Sequence, residues 1–274
     1  MINNPNIAVA MSVYKSDKLS YLVESVNSIL EQEYEAFHIY IEVDGTISPD
    51  VKSYLNSLDP EKTTITFHQE NKGLATRLNQ AIDKILQSGQ FSYIARMDSD
   101  DISDRSRFRE QVDFLSQNRD IYVLGTDVIE IDNENNPVHH KYMESDSDKI
   151  KNNIIKKCPV NHPSVMFRVE FFHKFKLRYK DNLMNTQDYY LWVDAIDKGL
   201  KISNLNKPLL KFRIDENFHK RRGLKKSINE FNSRFYAMKK LSMFSLGNVL
   251  HTILLLSLRL SPELIKKFAY KYMR

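Results

Sequence analysis

Two hydrophobic rhythms alternate through the first hundred residues. Ile7-Ala8-Val9-Ala10-Met11, His38 to Val43, Thr63 to Phe67 and Ser92 to Met97 are short apolar or β-branched runs, which predicts buried strands. Between them, apolar positions fall at helical spacing. They are Leu19, Leu22, Val23, Val26, Ile29 and Leu30 in 19–32, then Val51, Tyr54, Leu55 and Leu58 in 49–58. Leu74, Leu78, Ile82, Ile85 and Leu86 repeat the pattern in 74–87, and a further helix is expected at 105–117. Strands alternating with helices predict an α/β fold, a Rossmann-like, doubly wound, mostly parallel sheet. Such sheets bind ligands at the carboxyl ends of their strands. Four polar clusters fall there: Ser12-Val13-Tyr14, Asp44-Gly45-Thr46, Asn71-Lys72-Gly73 and Asp98-Ser99-Asp100-Asp101.

The stretch 120–220 is less regular. Val123-Leu124-Gly125 and Val128-Ile129 read as strand, Asn133 to Pro137 as a turn, and 147–156, 169–175 and 187–198 as helices. His139-His140 lacks a partner at metal-ligand spacing and reads as a surface loop. Beyond it, 224–240 predicts a basic helix. Residues 246–258 are apolar almost all round, in a region with no charge between Leu241 and Leu258, but fall short of the roughly 20 residues that span a bilayer. In 262–273, Leu264, Ile265, Phe268, Ala269 and Tyr272 share one face bordered by Lys266, Lys267 and Lys271. The last two segments predict an interfacial helix pair on a membrane surface; the alternative is a helical cap packed on the body.

Charge sharpens this division. Residues 219–274 carry 13 Lys/Arg against 2 Asp/Glu, a net of +11, whereas the rest carries 27 against 33, a net of −6. A basic tail on an acidic body calls for an acidic partner, an anionic membrane surface or nucleic acid. With seven glycines, the chain has little material for a Gly-rich cofactor loop. Its single cysteine, Cys158, excludes an internal disulfide and a cysteine-based zinc site, and fits a reducing cytoplasm. The N-terminus lacks the basic and apolar regions of a signal peptide.

Asp98 to Asp101 places three carboxylates in four positions directly after a buried strand. Such charges repel one another, and a hard divalent cation relieves the repulsion. Magnesium and manganese commonly bridge one or two carboxylates to substrate phosphates. In an extended segment Asp98 and Asp100 point the same way, with Asp101 elsewhere unless the chain turns. Asp101 or Ser103 could instead cap the helix expected near Arg105.

With these residues in view, the chain resembles the family 2 inverting glycosyltransferases of GT-A fold, in the branch that builds bacterial surface polysaccharides such as O-antigen, capsule and exopolysaccharide. The resemblance runs over about 6–222. It is carried, in order, by Met11 to Tyr14, then Ser25, Ser28, Ile29 and Gln32, then Val43 to Thr46, then Asn71 to Leu74 with Leu78-Asn79, then Ala95 to Asp101. Arg107, Gln111, Gly125, His162 to Arg168, Gln187 to Trp192 and Phe212-Arg213 follow. It implies a GT-A domain over 1–222, with a nucleotide-sugar half 1–101 and an acceptor half 102–222, and leaves 223–274 as a basic amphipathic tail.

The resemblance also implies roles. Ser12, Tyr14, Asp44, Lys72, Gly73 and Asp98 would bind a UDP-sugar donor, Tyr14 and Asp44 at its uridine. Asp100 and then Asp101 would hold Mn2+ or Mg2+, and Asp188 would be the catalytic base. His162 would lie near the acceptor or the diphosphate. Apart from the resemblance, Arg213, Lys220, Arg221 and Arg222 follow the last body strand and could clamp the donor or an acceptor pyrophosphate. On sequence alone Asp188 reads equally as a base or as a helix N-cap, and Arg213, Lys220, Arg221 and Arg222 equally as a phosphate clamp or as a solvated or headgroup-binding basic face. The expected reaction moves a hexose, galactose as first choice, to an undecaprenyl diphosphate saccharide. The expected location is the inner face of the cytoplasmic membrane, peripheral, without nucleic acid.

Two positions depart from the family pattern. Gln187 stands where many members have Glu before the Asp. Arg77 lies one residue before the place where many members carry Arg, a turn of about 100° on a helix, so no role is carried over to it. Two other readings compete. A sugar nucleotidyltransferase also gathers carboxylates at a strand end, but 10–20 lacks the glycine its phosphate loop needs. A non-enzymatic membrane- or nucleic-acid-binding module explains the tail and leaves the acidic cluster idle.

Overall fold

The computed structural model describes residues 6–183, 185–214 and 224–261. Strands and helices alternate strictly through β1 (Ile7–Tyr14), α1 (Leu19–Leu30), β2 (Phe37–Asp44), α2 (Pro49–Asn56), β3 (Thr63–Phe67), α3 (Leu74–Ser88) and β4 (Tyr93–Arg96). The second part comprises β5 (Ile102–Ser103), α4 (Arg107–Gln117), β6 (Ile121–Ile131), β7 (Pro137–Lys141), α5 (Ser147–Asn153), a 3-10 turn (His162–Ser164), β8 (Met166–Arg168), α6 (Val169–His173), α7 (Gln187–Asp197) and β9 (Lys201–Arg213). Two helices close the described chain, α8 (Leu224–Lys240) and α9 (Leu246–Leu260).

One sheet runs in the order β3-β2-β1-β4-β8-β6-β9-β5, with β7 paired to β6. Its first four strands are parallel. β8 is antiparallel to both β4 and β6, and so joins the two parts. A central parallel strand is covered on both faces, which is why β1 is an unbroken apolar run: Ile7 to Met11 are at most 3% exposed. One face packs on α1, α2 and α4 through residues such as Leu22, Val26 and Phe108. The other packs on α3, α6 and α7 through residues such as Leu78, Phe171 and Trp192. Register aligns Tyr14 with Asp44, and Ala10 with Arg96, so the strand ends that carry the polar clusters share one edge.

The structure revises three local expectations. His139 and His140 lie in β7, not in a loop; His140 Nε2 is 3.5 Å from Asp127 Oδ2, and its ring stacks on Tyr142 at 3.9 Å. Neither Asp101 nor Ser103 caps α4, because the turn before it is closed by Asp104, whose Oδ1 accepts from the Ser106 amide and hydroxyl at 2.9 and 2.7 Å. Arg213, expected after the last body strand as a phosphate clamp or a solvated basic face, is instead the buried last residue of β9.

The tail divides its behaviour between two helices. Ala237 and Met238 of α8 are fully buried in the body's core. α9 instead buries only Thr252 and turns Leu246, Leu250, Ile253, Leu254 and Leu260 outward. The helix expected at 262–273, together with Lys220, Arg221 and Arg222, lies outside the described residues.

Candidate active site

The chain leaves β4 at Arg96 and turns at Ser99-Asp100. That turn removes the strand alternation which would have sent Asp101 the other way. Carboxylate oxygens of Asp98, Asp100 and Asp101 accordingly lie within 4.8 Å of one another. Asp101 is 1% exposed; its Oδ1 accepts from the Arg213 amide at 2.9 Å, while Oδ2 is buried with no hydrogen-bond partner. An orphaned carboxylate oxygen beside two further carboxylates is the donor set that a hard divalent cation takes. Burial first, then the charge of Asp98, pushes the Asp100 carboxyl up to about 7. Burial and the charge of Asp100 push Asp101 well above the usual range.

The loop is held from several sides. α1 turns polar residues toward it: Ser25 Oγ donates to the Asp98 carbonyl at 2.7 Å, and Ser28 Oγ accepts from the Ser103 amide at 2.9 Å. Gln32 Oε1 accepts from the Phe108 amide at 3.0 Å. These contacts explain why polar residues interrupt the buried face of α1. Fully buried Arg107 donates to the Arg96 carbonyl at 3.0 Å, bracing the end of β4. Arg213 donates from Nε to the Asp100 carbonyl at 2.9 Å, pairs with Glu24 at 2.7 Å and covers the Tyr21 ring at 4.0 Å. Its guanidinium therefore braces the acidic loop.

Asp44 ends β2, 3% exposed. It accepts from the Lys72 and Gly73 amides at 2.8 and 2.9 Å and pairs with Arg77 Nε at 2.6 Å. Gly73 has φ +87°, which lets the chain turn sharply into α3. Arg77 thus faces Asp44 in this chain, despite its one-residue displacement from the family position. Ser12 is half-buried and Tyr14 is 40% exposed at the neighbouring end of β1.

Across the edge, Asp188 lies in the first turn of α7. The N-cap is Thr186, a β-branched residue at φ +64°, so Asp188 is not the cap. Burial raises the Asp188 carboxyl, and the Tyr189 amide, its own amide, Lys226 and Arg96 hold it down, in that order. His162 Nε2 is 2.8 Å from the Tyr179 hydroxyl, and its ring meets Trp192 at 6.0 Å. Burial, then Arg96, pushes its basicity well below the ordinary histidine value. Asn79 fixes the Tyr179 backbone at both ends, donating at 2.8 Å and accepting at 3.0 Å.

Arg96 links the two sides. It is 2% exposed, pairs through Nη2 with Asp98, and leaves Nε and Nη1 buried without hydrogen-bond partners. Its charge bears on Asp98, Asp100, His162 and Asp188 alike. Sequence reasoning missed it because an arginine inside a strand usually points to solvent. It also missed Asp17, which accepts from Ser99 Oγ at 2.8 Å and is pushed to about 6, chiefly by burial.

A mixed sheet with three convergent carboxylates at the end of a parallel strand, and a fourth on a facing helix, defines an α/β transferase of the GT-A kind. The chain belongs to glycosyl transferase family 2, whose model matches residues 8–176. It is 26% identical over 275 residues to an Escherichia coli protein named UDP-Gal:alpha-D-GlcNAc-diphosphoundecaprenol beta-1,3-galactosyltransferase, covering 98% of this chain and 96% of that one. It is 30% identical over 240 residues to the O-antigen biosynthesis glycosyltransferase WbnJ of Escherichia coli, covering 85% and 88%. Its fold matches Staphylococcus aureus TarS 1-349, solved with UDP-GlcNAc, at a TM-score of 0.67 and 15% identity, over 97% of this chain and 73% of that one. The expected GT-A fold with a helical tail is borne out. The protein is a glycosyltransferase, and the nucleotidyltransferase and binding-module readings are set aside.

Proposed function

We propose that the chain transfers a hexose, galactose as first choice, from a UDP-sugar to an undecaprenyl diphosphate saccharide, with inversion at the anomeric carbon, in surface-polysaccharide synthesis. The convergence of Asp98, Asp100 and Asp101, with one buried oxygen left unpaired, carries this reading. End-to-end similarity to the Escherichia coli galactosyltransferase supports the donor and acceptor classes.

In this reading the half 1–101 binds the donor and 102–222 the acceptor. Tyr14 stacks on the uracil, and Asp44 accepts its N–H, since a carboxylate oxygen bonded once keeps a second lone pair. Ser12, Lys72 and Gly73 line the ribose and phosphates, with Asp98 at the ribose or at the metal. Asp100 and Asp101 would hold Mn2+ or Mg2+, which supplies charge neutralisation for the leaving diphosphate. Asp188 takes the proton from the acceptor hydroxyl as that oxygen attacks the anomeric carbon. His162, neutral and held by Tyr179, orients the acceptor or diphosphate. Arg221 and Arg222 keep their place as diphosphate ligands in this proposal.

α9 is 15 residues, about 22 Å at 1.5 Å per residue, short of the roughly 30 Å bilayer core. No described helix is long and apolar enough to cross a membrane. Its exposed apolar stripe, with Lys239 and Lys240 exposed just before it, suits peripheral attachment to the anionic inner face of the cytoplasmic membrane. Incubating a panel of UDP-sugars with a synthetic diphospholipid N-acetylglucosamine, with and without Mn2+, tests the reaction. One UDP-hexose should transfer only with metal, releasing UDP, and Asp100→Ala should remove transfer. Metal-independent transfer, or wild-type rates in Asp100→Ala, sinks the metal assignment.

A further inference from the structure

Asp188 also lines a second space, a cavity of about 210 Å³ between α7 and the α8–α9 pair. That is below the roughly 300 Å³ at which pockets for whole drug-sized ligands begin, and fits a phosphate-sized group better than a saccharide. Its walls carry Lys226, Arg234 and Arg259 against Glu230 and Asp188. Three cations face two carboxylates, so the cavity is net positive even with both acids ionised.

The cations are held in place. Arg259 is aligned by Glu230 through contacts of 3.0 and 3.2 Å. Arg234, 6% exposed, lies over the Tyr189 ring at 4.2 Å and donates Nη1 to the Ile154 carbonyl at 2.8 Å; its Nε is buried with no hydrogen-bond partner. A nine-tenths-buried guanidinium with an idle N–H on a cavity wall is a feature that an anion completes. Lys226 is near enough to Asp188 to act on its charge. Arg259 shares α9 with the outward stripe and directly precedes Leu260, which is 50% exposed. A membrane-borne anion would therefore meet this cavity at the edge of the apolar face.

We infer that this cavity holds the diphosphate of the lipid-linked acceptor, with Lys226, Arg234 and Arg259 as its ligands, so that the attached sugar presents its hydroxyl to Asp188. The inference rests on the acceptor class given under Proposed function. It assigns the tail a part in acceptor binding as well as in membrane attachment.

Cys158, the chain's single cysteine, is exposed and lines the same cavity. Burial of the sulfur and the charge of Asp188 push its thiol up to about 11, so labelling is slow and is followed at mildly alkaline pH, where its rate reports occupancy. Maleimide labelling of the full chain would be followed with a water-soluble alkyl diphospho-N-acetylglucosamine, with UDP and Mn2+, and with phosphatidylglycerol vesicles. The diphospho-sugar should slow labelling about tenfold, and the other two should not. Lys226→Glu, and separately Arg259→Gln, should abolish that protection and raise the acceptor KM about tenfold with the donor KM unchanged. Unprotected labelling, equal protection by UDP or by vesicles, or an unchanged acceptor KM in both variants overturns the inference. If wild-type enzyme transfers sugar to the diphospho acceptor while the variants behave as wild type, only the cavity assignment falls. If wild type transfers to no diphospho acceptor, the functional reading falls with it.

Discussion

Asp188 shows how a residue's chemistry depends on what surrounds it. Its carboxyl is raised by burial and lowered by α7's first amides, Lys226 and Arg96. A base must be ionised to work, so kcat should rise with pH through a limb above the ordinary carboxylate range. Arg96→Gln removes a positive charge that favours the ionised form, and should move that limb to higher pH; an unmoved limb means Asp188 is not the titrating base. Asp188→Asn should cut kcat by about 10²–10⁴ with little loss of folded stability, as read by turnover and thermal melting. The carboxylate itself was legible in the sequence through the family pattern. The part played by Arg96 was not, because nothing along the chain shows which distant groups, His162 and Asp188 among them, its guanidinium meets.

Elements make the site by holding short loops against large costs. The acidic loop between β4 and β5, with Asp17 from the loop after β1, gathers carboxyls at about 7 for Asp100, about 6 for Asp17 and well raised for Asp101. A raised carboxyl favours the protonated form in the folded state, so its contribution is fully present below the unfolded value near 4 and is lost as pH rises through 6 to 7. Metal-free protein should therefore melt several degrees lower at pH 8 than at pH 5.5, and Mn2+ should restore more at pH 8. Equal melting temperatures would mean the carboxylates are relieved in another way. β6 supplies a second test. A Cβ on Gly125 would sit 2.2 Å from Asn204 Oδ1, and Asn204 is pinned by donation to the Glu144 and Pro159 carbonyls at 2.7 and 2.9 Å. Gly125→Ala should cost about 1–3 kcal/mol, read as a lower unfolding midpoint in urea. The sequence marked Gly125 as part of a pattern; only the packing of β9 beside β6 supplies its reason.

At the scale of the molecule, an acidic catalytic body meets a basic tail. α8, expected only as a basic helix, is built into the core, whereas α9 turns an apolar stripe to the outside, the feature on which its proposed membrane contact rests. Leu250→Glu with Leu254→Glu should lower binding to anionic vesicles at least tenfold and leave turnover on a water-soluble acceptor unchanged. Binding that survives both changes would place the membrane contact elsewhere on the chain.

The sequence by itself determined the alternation of β1 to β4 with α1 to α3, because a strand covered on both faces must be continuously apolar and each covering helix must carry a stripe at its own period. It also determined the acidic cluster, since three carboxylates after a buried strand have few other uses. Tertiary structure decided what depends on contacts between distant segments. The two-residue β5 and three-residue β8 carry too few positions for a period, yet β8 joins the two parts of the sheet. Arg213 reaches the acidic loop from more than one hundred positions away. Arg77 found Asp44 despite its displaced position, because a long guanidinium makes up what a turn of the helix takes away. Asp98 to Asp101 remained one motif along the chain until the fold brought Arg213 to it and set Asp188 within reach of the Arg96 charge, since charge interactions fall with distance in space and not in sequence.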